Sequence, residues 1–72
     1  MDRMELKRQI EGVYERLVEA EILMESIAAG TKDRAAELTA ARVRRVRKDF
    51  FYYRGHQYQH GIIPRHRDTE DQ

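Results

Sequence analysis

Apolar residues recur along the first half of this chain at Leu6, Ile10, Val13, Leu17, Ala20, Met24 and Ile27, in alternating steps of four and three. A strand cannot use that spacing, because it returns to the same face every second residue, whereas a helix brings positions three and four apart onto one stripe. The segment is therefore predicted to be an amphipathic helix with a heptad seam. A second run, Ala36, Thr39, Val43, Val46, Phe50 and Tyr53, repeats the same steps with neither Gly nor Pro before Gly55. Between the runs stand Gly30, suited to a left-handed C-terminal cap, and Thr31, whose hydroxyl can cap a following helix. The expected helices cover residues 3–29 and 32–53. Gly12 is a defect in the first, costing roughly 1 kcal/mol relative to Ala.

A connection this short makes the helices antiparallel, so the expected fold class is all-α, an antiparallel helical hairpin over residues 1–55. With a rise of about 1.5 Å per residue, the arms would be about 40 Å and about 33 Å long. Two rods touch along one line, and the first helix carries more apolar surface than one line uses. Tyr14, Val18 and Ile22 form a second stripe, and Leu23 widens the seam. A chain of 72 residues with no cysteine has neither a disulfide nor a thiolate metal site to support a small core. The expected solution is a homodimer forming a four-helix bundle, with Ile10, Val13, Tyr14, Leu17, Val18, Leu23, Met24 and Ile27 at the dimer interface. A monomeric hairpin docked on a different protein is the alternative.

From Gly55 the pattern changes. His56, Tyr58 and His60 alternate with Gln57 and Gln59 before Gly61 and Ile62-Ile63-Pro64. Residues 56–72 are expected to form an irregular or short extended C-terminal arm, packed through Tyr58, Ile62 and Ile63 and ending in a flexible tail.

The formal net charge of +1 conceals segregation. Residues 1–30 carry 7 acids and 4 bases, residues 31–55 carry 3 acids and 8 bases, and residues 56–72 carry 3 acids and 2 bases, so the segments sum to -3, +5 and -1. The strongest local signal is Arg42, Arg44, Arg45, Arg47 and Lys48, interrupted only by Val43 and Val46. With Phe51, Tyr52 and Arg54 beyond it, this stretch offers cations and aromatic anchors to a partner. The same surface suits phosphate contact and base stacking. Arg65 and Arg67 would extend it. Two plainer explanations compete. Bases in the last turns of a helix complement its dipole. The like-charge row Glu11, Glu15 and Glu19 on the first helix would be relieved by facing the arginines of the second, in the same chain or a partner.

Other chemistry is poorly supplied. His56 and His60 would share a face if helical, with His66 as a third ligand, but the flanking glycines oppose that helix, and no metal site is expected. Ser26, the single serine, has no nucleophile-activating pattern around it, and no Gly-rich phosphate loop is present. No catalytic residue, no cofactor and no enzymatic activity are expected. Apolar runs such as Ile22-Leu23-Met24 are far too short for a membrane span or a signal peptide, so a cytoplasmic protein without membrane contact is expected.

The segment Tyr53-Arg54-Gly55-His56-Gln57-Tyr58 resembles the Tyr-Arg-Gly-x-x-Tyr motif of a family of small uncharacterised cyanobacterial proteins. In that family the motif lies in a short extended segment near the N-terminus, whereas here it follows a long basic helix. The resemblance implies a cyanobacterial source and no particular activity, and it carries over no catalytic or binding residue. The expected function is that of a non-enzymatic interaction or regulatory protein, binding a protein partner through Arg44, Arg45, Arg47, Lys48, Phe51, Tyr52 and Arg54. The alternative is an RNA- or DNA-binding hairpin dimer that uses the same residues.

Overall fold

Asp2 opens the first helix. Its backbone is extended, and its carboxylate accepts a hydrogen bond from the Glu5 N–H at 2.8 Å, satisfying one of the donors that a first helical turn leaves open. The structure, a computed structural model, describes residues 1–59. They form α1 (Arg3–Thr31) and α2 (Arg34–Gln59), packed antiparallel against each other. The all-α hairpin expected from the heptad spacing is present.

The turn lies two residues later than expected. Gly30 stays helical, and Lys32 makes the reversal instead, at φ 54° and ψ 31°, with its N–H donating to the Ala28 carbonyl at 2.9 Å. Thr31, expected to cap the second helix, belongs to α1 and donates through Oγ1 to the Ile27 carbonyl at 2.8 Å. Asp33 precedes α2 in its place. Its carboxylate accepts from the Ala35 N–H at 3.3 Å and its carbonyl from the Glu37 N–H at 3.0 Å. A carboxylate caps at least as well as a hydroxyl, so nothing held the cap at Thr31.

At its other end α2 runs through Gly55 to Gln59, not to a stop near Tyr53, and the segment 53–58 is helical rather than extended. Arg54 and Tyr58, one turn apart, are both bonded to Glu11 of α1. Those tertiary bonds support the helix across a glycine whose intrinsic cost is about 1 kcal/mol. The remainder of the expected arm, with His60, Ile62, Ile63, Arg65, His66 and Arg67, lies outside the described residues.

Both helices are rotated relative to the expected seam, and in the same sense. The inward positions are Ile10, Tyr14, Leu17, Glu21, Met24 and Ala28 on α1, and Ala36, Ala40, Val43, Arg47, Phe50 and Arg54 on α2. One position per heptad agrees with the expectation, and the next is displaced by one residue. Thus Tyr14, Glu21 and Ala28 stand where Val13, Ala20 and Ile27 were expected, and Ala40, Arg47 and Arg54 replace Thr39, Val46 and Tyr53. The displaced Val13, Ile27, Val46 and Tyr53 are 43%, 51%, 51% and 45% exposed. Ala28, Ala36 and Ala40 form a buried cluster at the turn, with Met24 packed on it. A two-residue connection brings the helices close there, and a seam built from Ile27 and Thr39 would hold them further apart.

Because Lys32 is not glycine, its left-handed backbone carries a steric cost, while the helical Gly30 forgoes helix propensity with open space where a Cβ would sit. Lys32→Gly and Gly30→Ala are each expected to raise stability by about 1 kcal/mol, read as a higher urea midpoint at unchanged slope. A loss from Lys32→Gly would show that the reversal is not made there.

Candidate functional site

One flank of the seam is closed by charge. Arg47 donates from Nε to Glu21 Oε1 at 2.6 Å, and Arg44 bridges Glu25 Oε2 at 2.6 Å and Glu21 Oε2 at 3.4 Å. Further from the turn, Arg54 Nε donates to Glu11 Oε2 at 2.8 Å, and the Tyr58 hydroxyl donates to the same oxygen. The Arg54 guanidinium also lies 5.0 Å from the Tyr14 ring centre and 5.3 Å from that of Tyr58. Phe51 continues the row against Tyr14, with ring centres 6.2 Å apart.

These pairings move proton affinities in consistent directions. The Arg47 hydrogen bond holds the Glu21 carboxyl below its usual range, outweighing the effect of its partial burial. Arg44 and Arg47 are raised by their bonds to Glu25 and Glu21. At Arg54 burial opposes the charge, yet the bond and attraction from Glu11 prevail and raise it. Burial, then the hydrogen bond to Glu11, pushes the Tyr58 phenol up to about 12.

Of the seven residues expected to meet a partner, Arg44, Arg47 and Arg54 therefore serve as cross-helix bonds. Arg45 and Lys48 are exposed on α2, and Tyr52, at 72% exposure, continues their line. Phe51 joins this edge to the closed flank, its ring 5.6 Å from that of Tyr52. From the acidic row, Glu11 alone reaches an arginine among the described residues, while Glu15 and Glu19 are exposed. Glu21 and Glu25 carry more of the pairing and were not singled out. Counting equal distances outward from Lys32-Asp33 sets Glu11 opposite Arg54, but the sequence placed the turn earlier.

The expected dimer residues also divide. Ile10 is buried inside the hairpin, and Tyr14, Leu17, Val18 and Met24 are partly buried, so these five are largely used within the chain. Val13, Leu23 and Ile27 are exposed. On the open flank of the seam, Val13, Ala20 and Ile27 of α1 lie alongside Thr39, Val46 and Tyr53 of α2, and this second apolar contribution from α2 was not foreseen. Both rows fall on one flank because the displacement has the same sense in two antiparallel right-handed helices. The charged pairs one residue to the other side of the seam, Glu25 with Arg44 and Glu11 with Tyr58, mark the opposite flank.

Among the described residues no group of three His, Cys, Asp or Glu could hold a metal ion, and no helix is long and apolar enough to cross a membrane. Comparison with family models, curated proteins and solved structures finds no match.

Two pH dependences follow. Glu21 has a depressed folded-state pKa, so its contribution is present above its ordinary value of 4.5 and is lost as pH falls below it. Acid unfolding is expected to shift to higher pH in Arg47→Gln, followed by helical circular dichroism. The raised Tyr58 acts in the opposite direction. Its contribution is complete below the unfolded value of 10.0 and disappears as pH rises toward about 12. The fall in urea midpoint across that window should shrink in Tyr58→Phe, and an equal fall in both proteins would refute the assignment.

Proposed function

We propose that this chain is a non-enzymatic interaction protein in which two hairpins associate as a four-helix bundle and the outer edge of α2 receives an acidic protein partner. The division among the α2 cations carries this reading. Arg44, Arg47 and Arg54 hold the hairpin together, whereas Arg45 and Lys48 have no ion pair within the described residues and lie two turns and one turn, respectively, before exposed Tyr52. A pair of solvated cations leading to an aromatic ring supplies both electrostatic steering and an anchor of the kind that concentrates binding energy. Positioning on a helix already fixed by cross-helix bonds lowers the ordering cost of binding.

The bundle accounts for the remaining surface. The described residues form a single layer of two helices, 47 × 23 × 17 Å in extent. Among the described residues, the apolar side chains on a broad face of this hairpin have no second layer to cover them.

The test is affinity capture from the native lysate with wild type and Arg45→Glu/Lys48→Glu, with and without nuclease. The expected result is a stoichiometric acidic protein retained through nuclease treatment and lost with the variant, whose circular dichroism is unchanged. Recovery of nucleic acid, or loss of the partner after nuclease, would replace this reading with phosphate binding by the same edge.

A further inference from the structure

The open flank carries an order that specifies its occupant. Register across the hairpin sets Val13 level with Tyr53, Ala20 with Val46, and Ile27 with Thr39. Val13, Ile27, Val46 and Tyr53 are each about half exposed, and Leu23, 58% exposed, extends the stripe outward on α1. The smallest α1 residue stands at the middle level, with a larger one a heptad to either side.

We propose that this face is covered by a second copy of the chain, rotated by half a turn about an axis passing near Ala20 and Val46 and perpendicular to the helices. This deepens the four-helix bundle reading and rests on it. The rotation lays α1 antiparallel on the partner's α1, and α2 antiparallel on the partner's α2. Ala20 then meets the partner's Ala20 and Val46 meets the partner's Val46, while Val13 lies against the partner's Ile27 and Thr39 against the partner's Tyr53. At each outer level a larger side chain faces a smaller one, which keeps the filled volume even along the interface. The two small side chains at Ala20 allow the α1 axes to approach closely at the centre.

Charge on the rim selects the same arrangement. Arg42 and Asp49 lie a heptad apart on the outer margin of the open flank, on either side of Val46, and neither has an ion pair within the described residues. The half-turn brings Arg42 to the partner's Asp49 and Asp49 to the partner's Arg42, giving two reciprocal pairs, as an isologous contact requires. The competing two-fold packing, α1 on the partner's α2, would set Arg42 against apolar Leu23. The long-range field favours that alternative, since α1 is the acidic arm and α2 the basic one. However, Glu11, Glu21 and Glu25 are already paired with arginines within each hairpin, and salt screens beyond about 8 Å at physiological ionic strength. Short-range contacts therefore decide. A consequence is that both α2 edges, with Arg45, Lys48 and Tyr52, face the same side of the bundle.

The chain contains no cysteine, so single-cysteine variants of the full chain report the packing directly. Under mild oxidation Ala20→Cys and Val46→Cys should each yield mostly covalent dimer, because a residue on a two-fold axis meets its own copy within disulfide reach. Ile22→Cys, exposed on α1 away from this flank, should yield little. Arg42→Asp should weaken dimerisation roughly tenfold in sedimentation, with Arg42→Asp/Asp49→Arg restoring it. A monomer at high micromolar concentration would overturn both the bundle and this packing. Cross-linking only when Ala20→Cys and Val46→Cys are combined would retain the bundle and overturn the like-on-like arrangement, as would equal cross-linking of Ile22→Cys.

Discussion

The short reversal at Lys32-Asp33 governs the rest of the molecule. Two residues between helices leave no slack, so the ends of α1 and α2 must lie close together, and the residues between them must be small. Ala28, Ala36 and Ala40 meet that requirement and are buried there. Once they face inward, helical periodicity fixes what faces inward further along: Glu21 and Tyr14 on α1, Arg47 and Arg54 on α2. Those side chains are charged or polar for reasons that a purely apolar seam would not accommodate. They are tolerated because Glu21 meets Arg47 and Arg54 meets Glu11 across the hairpin, with part of each side chain's surface kept in water.

The hairpin is thereby two-faced. One flank of its seam is closed by Glu11, Glu25, Arg44, Arg54 and Tyr58, a row of charge-assisted bonds that fixes the register. Rings add to this flank, since Arg54 lies over Tyr14 and Tyr58 and Phe51 rests against Tyr14. The other flank receives the apolar residues displaced by the rotation. The Arg-rich stretch of α2 consequently divides: alternate arginines bond inward to hold the fold, and Arg45 and Lys48 are exposed outward.

Much of the fold was legible. Alternating steps of four and three in two runs, separated by turn residues, require two helices and a hairpin, because no other regular structure brings those positions onto one face. The candidate site was less legible. A heptad pattern read from apolar residues alone cannot distinguish a seam through Val13, Ala20 and Ile27 from one through Tyr14, Glu21 and Ala28, since both share Ile10, Leu17 and Met24. Assigning a glutamate and two arginines to the inward face needs the opposing helix in view. The same holds at Gly55, where intrinsic propensity argued for a stop and bonds from Glu11 to residues on either side of it support continuation.

The sequence by itself determined the helical periodicity, the hairpin and the separation of an acidic arm from a basic one, because these depend on spacing and composition within a few turns of chain. Only the tertiary structure decided the rotation of each helix, which arginines are occupied and which apolar residues remain uncovered. Those outcomes depend on how closely two particular surfaces can approach, which is set by the length of the turn and the size of the alanines beside it.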